Sequence, residues 1–155
     1  VVMGQPEGQG CYCAANTLLS DFLGKLTTNY ESVVMDNEAG MEHISRLTTK
    51  NIDTLLVVSD PSRRGLQAAQ RIKELAQSLN IGVKDIYLIL NNVQQEPSQA
   101  VLDIIDEAGL NLLGTVNADQ TLTEYDMAGR PTAELPEDNK VVQKAFALFD
   151  QIVPK

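Results

Sequence analysis

Four short apolar runs, each rich in β-branched residues, recur along the chain. They occupy residues 32–35, 54–58, 86–90 and 112–116. Runs that are this short and this continuous are typical of strands buried on both faces of a parallel sheet, whereas helices need longer stretches with apolar residues every three or four positions. The pattern therefore predicts four parallel strands.

Amphipathic stretches lie between and around these runs. Apolar residues follow helical spacing over residues 66–79 and 101–108, over about 14–25 before the first run, and over 141–152 at the end. Alternating strands and helices predict an α/β fold, with a three-layer, mostly parallel sheet flanked by helices in a single partial domain spanning 1–155. Ligands of such sheets gather beyond the carboxyl ends of the strands.

Composition narrows the class of protein. The chain has 155 residues, 43% of them hydrophobic and 21% charged, as expected for one globular domain. Its net charge of -9 argues against direct binding to nucleic acid, which requires clustered Lys and Arg. No apolar run reaches the roughly 18 residues of a membrane span, and no signal peptide is visible, so we expect a cytoplasmic protein. The first residues, Val1-Val2-Met3-Gly4, suggest a fragment of a longer polypeptide.

Asp36 is the first candidate for chemistry. It ends the run at 32–35, and Gly40 follows four residues later. A carboxylate at a strand end can hold Mg²⁺ through a water molecule, and a glycine lets its backbone N–H approach a terminal phosphate. The alternative is a strand-to-helix turn in which Asp36 bonds nearby backbone and Gly40 supplies permissive dihedrals.

Cys11 and Cys13 are the only cysteines and flank Tyr12. A disulfide across one residue would be strained and would close almost no loop. Two thiolates can grip a metal ion, but tetrahedral closure requires four ligands, which a two-fold dimer would supply. The alternatives are a third ligand from His43, the only histidine, or one buried and one exposed thiol.

Two further strand ends carry polar residues. Asn91 and Asn92 follow the third run and could bond a purine edge, although Asn is equally common in turns. The segment 59–62, Ser-Asp-Pro-Ser, predicts a helix cap followed by Pro in the first helical turn, and we assign it to structure.

Several motifs in order resemble the MinD and NifH-like P-loop ATPases, and within them the CooC-type accessory ATPases of nickel enzymes. Residues 10–14, Gly-Cys-Tyr-Cys-Ala, look like the C-x-C metal motif of that family, and residues 33–43 look like its switch II. Residues 88–91 resemble its adenine-side strand. Residues 113–119, with Tyr125-Asp126 and the Gly-Arg-Pro at 129–131, are similar to its last strand and base-side loop.

The resemblance implies a role for each matching residue. Cys11 and Cys13 would bind Ni²⁺ or Zn²⁺ together with their counterparts across a homodimer. Asp36 would serve Mg²⁺ and Gly40 would sense the terminal phosphate of ATP. The adenine side would be formed by the residues that match the base-binding positions: Asn91, Asn117 and Asp119.

One central element of that family is absent from the sequence. No G-x-x-x-x-G-K-[ST] phosphate loop occurs in the 155 residues, and Asn117 stands where the family often has Pro. The sequence therefore predicts the metal-binding and switch II portion of an ATP-dependent metallochaperone, whose client would be a nickel-dependent carbon monoxide dehydrogenase or acetyl-CoA synthase. The alternative is a non-catalytic metal-binding module that dimerises, and whether the chain is an enzyme stays open.

Overall fold

A parallel sheet of three strands forms the centre of the part of the chain that the structure describes. The computed structural model describes residues 18, 21–25, 29–37, 52–79 and 81–153. Within them the strands are β1 (Thr54–Ser59), β2 (Asp85–Val93) and β3 (Leu112–Asn117), hydrogen-bonded in the order β1-β2-β3. The strands predicted at 54–58, 86–90 and 112–116 are confirmed.

The central strand β2 extends beyond its apolar run through a bulge. Leu90 pairs with Thr115, and Val93 pairs with Asn117, so two residues of β2 oppose one residue of β3. Asn92 has a positive φ of 57°, a conformation that Asn adopts more readily than most residues. Asn91 and Asn92 therefore form a bulge within the strand rather than a turn after it.

Four helices flank the sheet within residues 52–79 and 81–153, and each of three begins at a side-chain cap. After β1 comes α1 (Arg63–Ser78), after β2 comes α2 (Gln99–Glu107), and after β3 come α3 (Gln120–Met127) and α4 (Lys140–Phe149), with a 3₁₀ turn at Thr132–Glu134 between the last two. The caps that accept backbone N–H groups belong to α1, α3 and α4: Ser62, Asp119 and Asn139. The predicted placement of Pro61 in the first helical turn is wrong, because α1 begins only after Ser62.

Each face of the sheet has its own core. On one face, α1 and α2 pack against β1 and β2 around a cluster of buried residues that includes Leu66, Leu88 and Leu90. On the other face, α4 packs against β3 around Ile89 and Leu148. The chain thus has the predicted three-layer α/β architecture.

The predicted strand at 32–35 is not found. Residues 32–37 carry no helix, strand or turn, and Val34 is 90% exposed. A strand exists only when the backbone of a neighbour pairs with it, and no strand in the described ranges lies beside this segment. The apolar composition of residues 32–35 was therefore insufficient to predict a strand.

The predicted helix at about 14–25 is confirmed where the chain is described, since residues 18 and 21–25 are helical. Among the residues that the structure describes, no helix combines the length and apolarity required to cross a membrane.

Candidate functional site

Polar residues gather at the carboxyl edge of the sheet. Because the strands are parallel, Ser59, Val93 and Asn117 end them on the same side. The N–H of Ala118 donates to the Val93 carbonyl at 3.0 Å, which ties the segment after β3 to the end of β2. The edge is therefore fixed by backbone hydrogen bonds up to the first residue of the connecting segment.

A small cavity of about 160 Å³ opens where β3 meets the start of α4. It is lined by three consecutive residues after the strand core and three residues from the first turns of the helix: Asn117, Ala118, Asp119, Lys140, Val141 and Lys144. Lys140 and Lys144 are four residues apart and lie on the same face of α4. The residues around the cavity thus include one with a carboxylate, one with an amide and two with ammonium groups.

Asp119 is held in place by two hydrogen bonds to one of its oxygens. Its Oδ1 accepts from the Leu122 N–H at 2.8 Å, which caps α3, and from the Asn139 side-chain amide at 3.5 Å. Asn139 in turn caps α4, because its Oδ1 accepts from the N–H groups of Val141 at 2.8 Å and Val142 at 3.2 Å. The starts of α3 and α4 are therefore linked beside the cavity.

The other polar side chains around the cavity form no hydrogen bonds or ion pairs within the described part of the chain. Lys140, Lys144 and the Asn117 side chain make no hydrogen bond or ion pair with any residue in the described ranges. The Oδ2 atom of Asp119 has no donor there either. Asn117, Lys140 and Lys144 are exposed, so their polar groups remain available to solvent or to a ligand.

The loop after β1 has a structural role, as assigned from the sequence. Asp60 Oδ1 accepts from the Ser62 N–H at 2.7 Å. Hydrogen bonds from the Ser62 side chain and backbone lower the pKa of Asp60 from its ordinary value. A Cβ at Gly65 would lie 2.8 Å from the Asp60 carbonyl oxygen, so α1 approaches this loop too closely for a larger residue.

The structure brings together only some of the predicted site residues. Asn117 and Asp119 share the cavity, whereas Asn91 lies in the bulge of β2 and does not line it. Asp36 is exposed and makes no hydrogen bond or ion pair with the described residues. The other predicted positions lie outside the described residues: Cys11, Cys13, Gly40 and His43.

Side chains at the end of α3 and in the segment after it contact one another. The Arg130 guanidinium lies 3.9 Å from the centroid of the Tyr125 ring and pairs with Glu134 at 3.2 Å. Neither Tyr125 nor Arg130 lines the cavity. Within the ranges that the structure covers, no group of three or more His, Cys, Asp or Glu residues could hold a metal ion.

Sequence reasoning missed three residues of this site. Lys140, Lys144 and Asn139 come more than 20 residues after Asn117. Only the return of α4 onto β3 brings them to the strand end. The available signals were the N-cap position of Asn139 and the spacing of four between the two lysines, which places both on one helix face.

A larger cavity lies at the opposite, amino edge of the sheet. It measures about 390 Å³ and is lined by residues from the end of α1 and the start of β2, among them Lys73, Gln77 and Lys84. Lys73 donates to the Ala108 and Gly109 carbonyls, and Lys84 pairs with Asp53. Both lysines there are already committed to structural contacts.

Curated proteins similar to the chain are described as ATP-binding. No protein-family model matches it. An uncharacterized ATP-binding protein of Methanocaldococcus jannaschii is 44% identical over the whole chain, and a second one is 36% identical over 99% of it. The carbon monoxide dehydrogenase accessory protein CooC of Rhodospirillum rubrum is 36% identical over 96% of the chain. The chain spans only 61%, 59% and 55% of the lengths of these three relatives.

Solved structures agree with the fold. The MinD cell division ATPase of Pyrococcus furiosus matches with a TM-score of 0.67 and 16% identity, over 89% of this chain and 59% of that one. MinD of Aquifex aeolicus matches with a TM-score of 0.63 and 18% identity, over 90% and 62% of the two chains. The homologues of this chain are thus ATP-binding proteins of the MinD family, and its three-layer parallel sheet matches the P-loop NTPase fold of MinD.

Proposed function

We propose that the chain is the metal-binding and switch II portion of an ATP-dependent metallochaperone that serves a nickel-dependent carbon monoxide dehydrogenase or acetyl-CoA synthase. The cavity at the end of β3 carries the nucleotide part of this proposal. It places Asn117 and Asp119 together at the carboxyl edge, where α/β sheets bind nucleotides. The CooC relative, named as a carbon monoxide dehydrogenase accessory protein, supports the client.

Each remaining role follows the sequence motifs. Cys11 and Cys13 supply two thiolates, and a second copy of the chain supplies the other two ligands of a tetrahedral Ni²⁺ or Zn²⁺ site. Asp36 serves the Mg²⁺ of ATP, and Gly40 approaches the terminal phosphate. Asn91 lies at the same sheet edge and contributes to the adenine side. A homodimer would couple nucleotide state to metal transfer.

A chimaera tests nucleotide binding and switch function together. In it, this chain replaces the aligned 61% of the 44%-identical relative, so that every segment of the relative outside the alignment is retained. We expect the chimaera to bind ATP in calorimetry and to hydrolyse it. We expect Asp36→Ala to abolish ATP-dependent dimer closure, measured by light scattering, whereas Asp53→Ala, an exposed carboxylate at the amino edge, changes nothing. A chimaera that binds no ATP would overturn the nucleotide part.

Metal binding requires its own measurement. Elemental analysis of the purified dimer should show about one nickel or zinc ion per two chains, as expected if four thiolates close one tetrahedral site. The double variant Cys11→Ser, Cys13→Ser should lose the metal and retain ATP binding. Metal retained in that variant would contradict the role of the cysteines.

The alternative function is a non-catalytic module that dimerises and carries metal. The pair Cys11 and Cys13 supports metal binding in this module as it does in the first function. The chimaera separates the two functions, because a module of this kind would bind one metal ion per dimer without ATP turnover even with the remaining segments of the relative restored.

A further inference from the structure

We propose that the helix layer formed by α1 and α2 is a docking surface for a second copy of this chain. In this contact the basic row on α1 of each copy (Arg64 and Arg71) faces the acidic row on α2 of the other copy (Asp103 and Asp106). Neither the cysteines nor the residues assigned to nucleotide take part in it.

The two helices lie side by side on one face of the sheet. Leu66 of α1 and Ile105 of α2 are buried in the same core cluster. Because both helices connect neighbouring parallel strands of one sheet, they run in the same direction. The Lys73 amine of α1 donates to the Ala108 carbonyl at 3.3 Å, just after the end of α2. Arg71, two residues before Lys73, is therefore level with the last turn of α2.

The exposed sides of the two helices carry opposite charges. Arg64 and Arg71 are exposed, and their spacing of seven places them on one face of α1. Asp103 and Asp106 are exposed and three residues apart on α2. Within the described ranges none of these four side chains forms an ion pair, although Asp103 accepts a hydrogen bond from the Gln99 side chain. A basic row thus lies beside an acidic row, and the two rows form no ion pair with each other.

Charges at the ends of these helices do not stabilise the helices themselves. The first turn of α1 contains Arg63 and Arg64 and no acidic residue. The last turn of α2 contains Asp106 and Glu107 and no basic residue. The helix dipole favours the opposite arrangement, with negative charge at the start of a helix and positive charge at its end. Side chains that oppose local stability are expected where a surface binds a partner.

A second copy fits this surface because the two rows are complementary to one another. Rotation by 180° about an axis that runs along the layer, between the helices, lays α1 of each copy over α2 of the other. Each basic row then meets an acidic row, and the two halves of the contact are equivalent, as in an isologous dimer. An unrelated acidic protein would match only the basic row. The exposed Ala68 lies between the two arginines along α1, and its small side chain lets the partner helix approach.

The test is sedimentation equilibrium of the 155-residue chain. The chain carries Cys11→Ser and Cys13→Ser and is kept with a chelator and without nucleotide, so that a metal-linked dimer makes no contribution. We expect dimers whose fraction rises with protein concentration, with a dissociation constant at or below about 1 mM.

Charge reversal of either row should break the dimer. Arg64→Glu with Arg71→Glu, and separately Asp103→Lys with Asp106→Lys, should each weaken dimerisation by more than about tenfold, because like charges then meet in both halves of the contact. An equimolar mixture of the two variants should dimerise again, since both halves of the mixed dimer bring opposite charges together.

A matched control separates local pairing from net charge. Lys140→Glu with Lys144→Glu changes the net charge by as much as the arginine variant does, but on α4, which packs on the other face of the sheet. This control should dimerise like the chain with unaltered rows.

Three results would overturn the docking surface. The first is a chain with unaltered rows that stays monomeric up to about 1 mM. The second is dimerisation that persists in both charge-reversed variants, because another surface would then hold the copies together. The third is a pair of variants that are folded by circular dichroism and fail to dimerise when mixed. All three leave the proposed function intact, since the cysteines and the nucleotide are absent from the measurement.

Discussion

The two edges of the sheet carry lysines in opposite circumstances. At the amino edge, the cavity of about 390 Å³ is lined by Lys73 and Lys84, and both amines are committed to carbonyls or to Asp53. At the carboxyl edge, a cavity of about 160 Å³ is lined by Lys140 and Lys144, and neither amine has a partner among the described residues. Uncommitted donors and acceptors, rather than cavity volume, are therefore our reason for proposing the nucleotide site at the carboxyl edge.

The two edges differ in their lysine contacts but depend on the same hydrophobic core. Leu88 is fully buried in the middle of β2 and supports both edges. Leu88→Ala should lower the free energy of unfolding by about 2–5 kcal/mol, because it leaves a cavity in a packed core. Urea titration measures the loss, and both edges should unfold in one transition. The control Val58→Ala, at a side chain that is 59% exposed, should change stability far less.

Gly65 lets α1 approach the loop after β1 closely, and this close packing occurs at the carboxyl edge. A Cβ there would lie 2.5 Å from the Ser59 hydroxyl and 2.8 Å from the Asp60 carbonyl oxygen. Gly65→Ala should therefore destabilise the chain by about 1–3 kcal/mol, since backbone must shift to make room. The matched control is Gly24→Ala at a helical glycine, where an added Cβ would meet no atom within 4 Å outside its own stretch of helix, and it should stabilise by up to about 1 kcal/mol. Equal melting temperatures for both variants would contradict the close approach.

Two substitutions at Asp119 distinguish its proposed contact with adenine from its role as the cap of α3. Asp119→Ala removes the acceptor of the Leu122 N–H and should lower stability by about 0.5–2 kcal/mol. Asp119→Asn keeps a capping oxygen and should retain most of that stability. In both variants the carboxylate that we assign to adenine is lost, so both should bind adenosine more weakly. If Asp119→Asn binds normally, Asp119 acts only as a cap.

The smallest expected effects concern how the stability of the chain depends on pH, which should differ between the two edges. The pKa of Asp60 is lowered by its hydrogen bonds to Ser62, so its contribution to stability is present above about pH 4 and is lost as pH falls through the folded pKa. The pKa of Lys84 is raised by Asp53, so its contribution is lost at the alkaline end, as pH rises through the folded pKa. Thermal melts should show that Asp60→Asn flattens only the acid limb and Lys84→Met only the alkaline limb.

The sequence predicted those elements that depend on local pattern. Three apolar runs became strands within three residues of their predicted ends, because each lies between two layers of helices. The run at 32–35 did not, since pairing with another strand is not encoded within the run itself. α3 was missed because it buries no residue and so has no apolar stripe to detect.

The candidate site shows the same division. Asn117 and Asp119 were predicted, because they stand at the end of a recognisable strand within a segment that resembles a family motif, although Asn117 replaces the Pro that the family often has there. Lys140 and Lys144 were not, because a surface lysine on a helix has no distinctive pattern until the topology brings it to a strand end. Sequence pattern therefore located the edge of the site, and the packing of α4 against β3 supplied its other wall.

The most direct test of the central claim is a map of which amides of the ¹⁵N-labelled chain respond to ATP. The account predicts chemical-shift changes confined to the carboxyl edge, at Asn117–Asp119 and in the first turn of α4. Residues of the larger amino-edge cavity, such as Gln77 and Lys84, should not respond. Shifts at the amino edge, or none at either edge, would contradict the assignment of the smaller cavity as the nucleotide site.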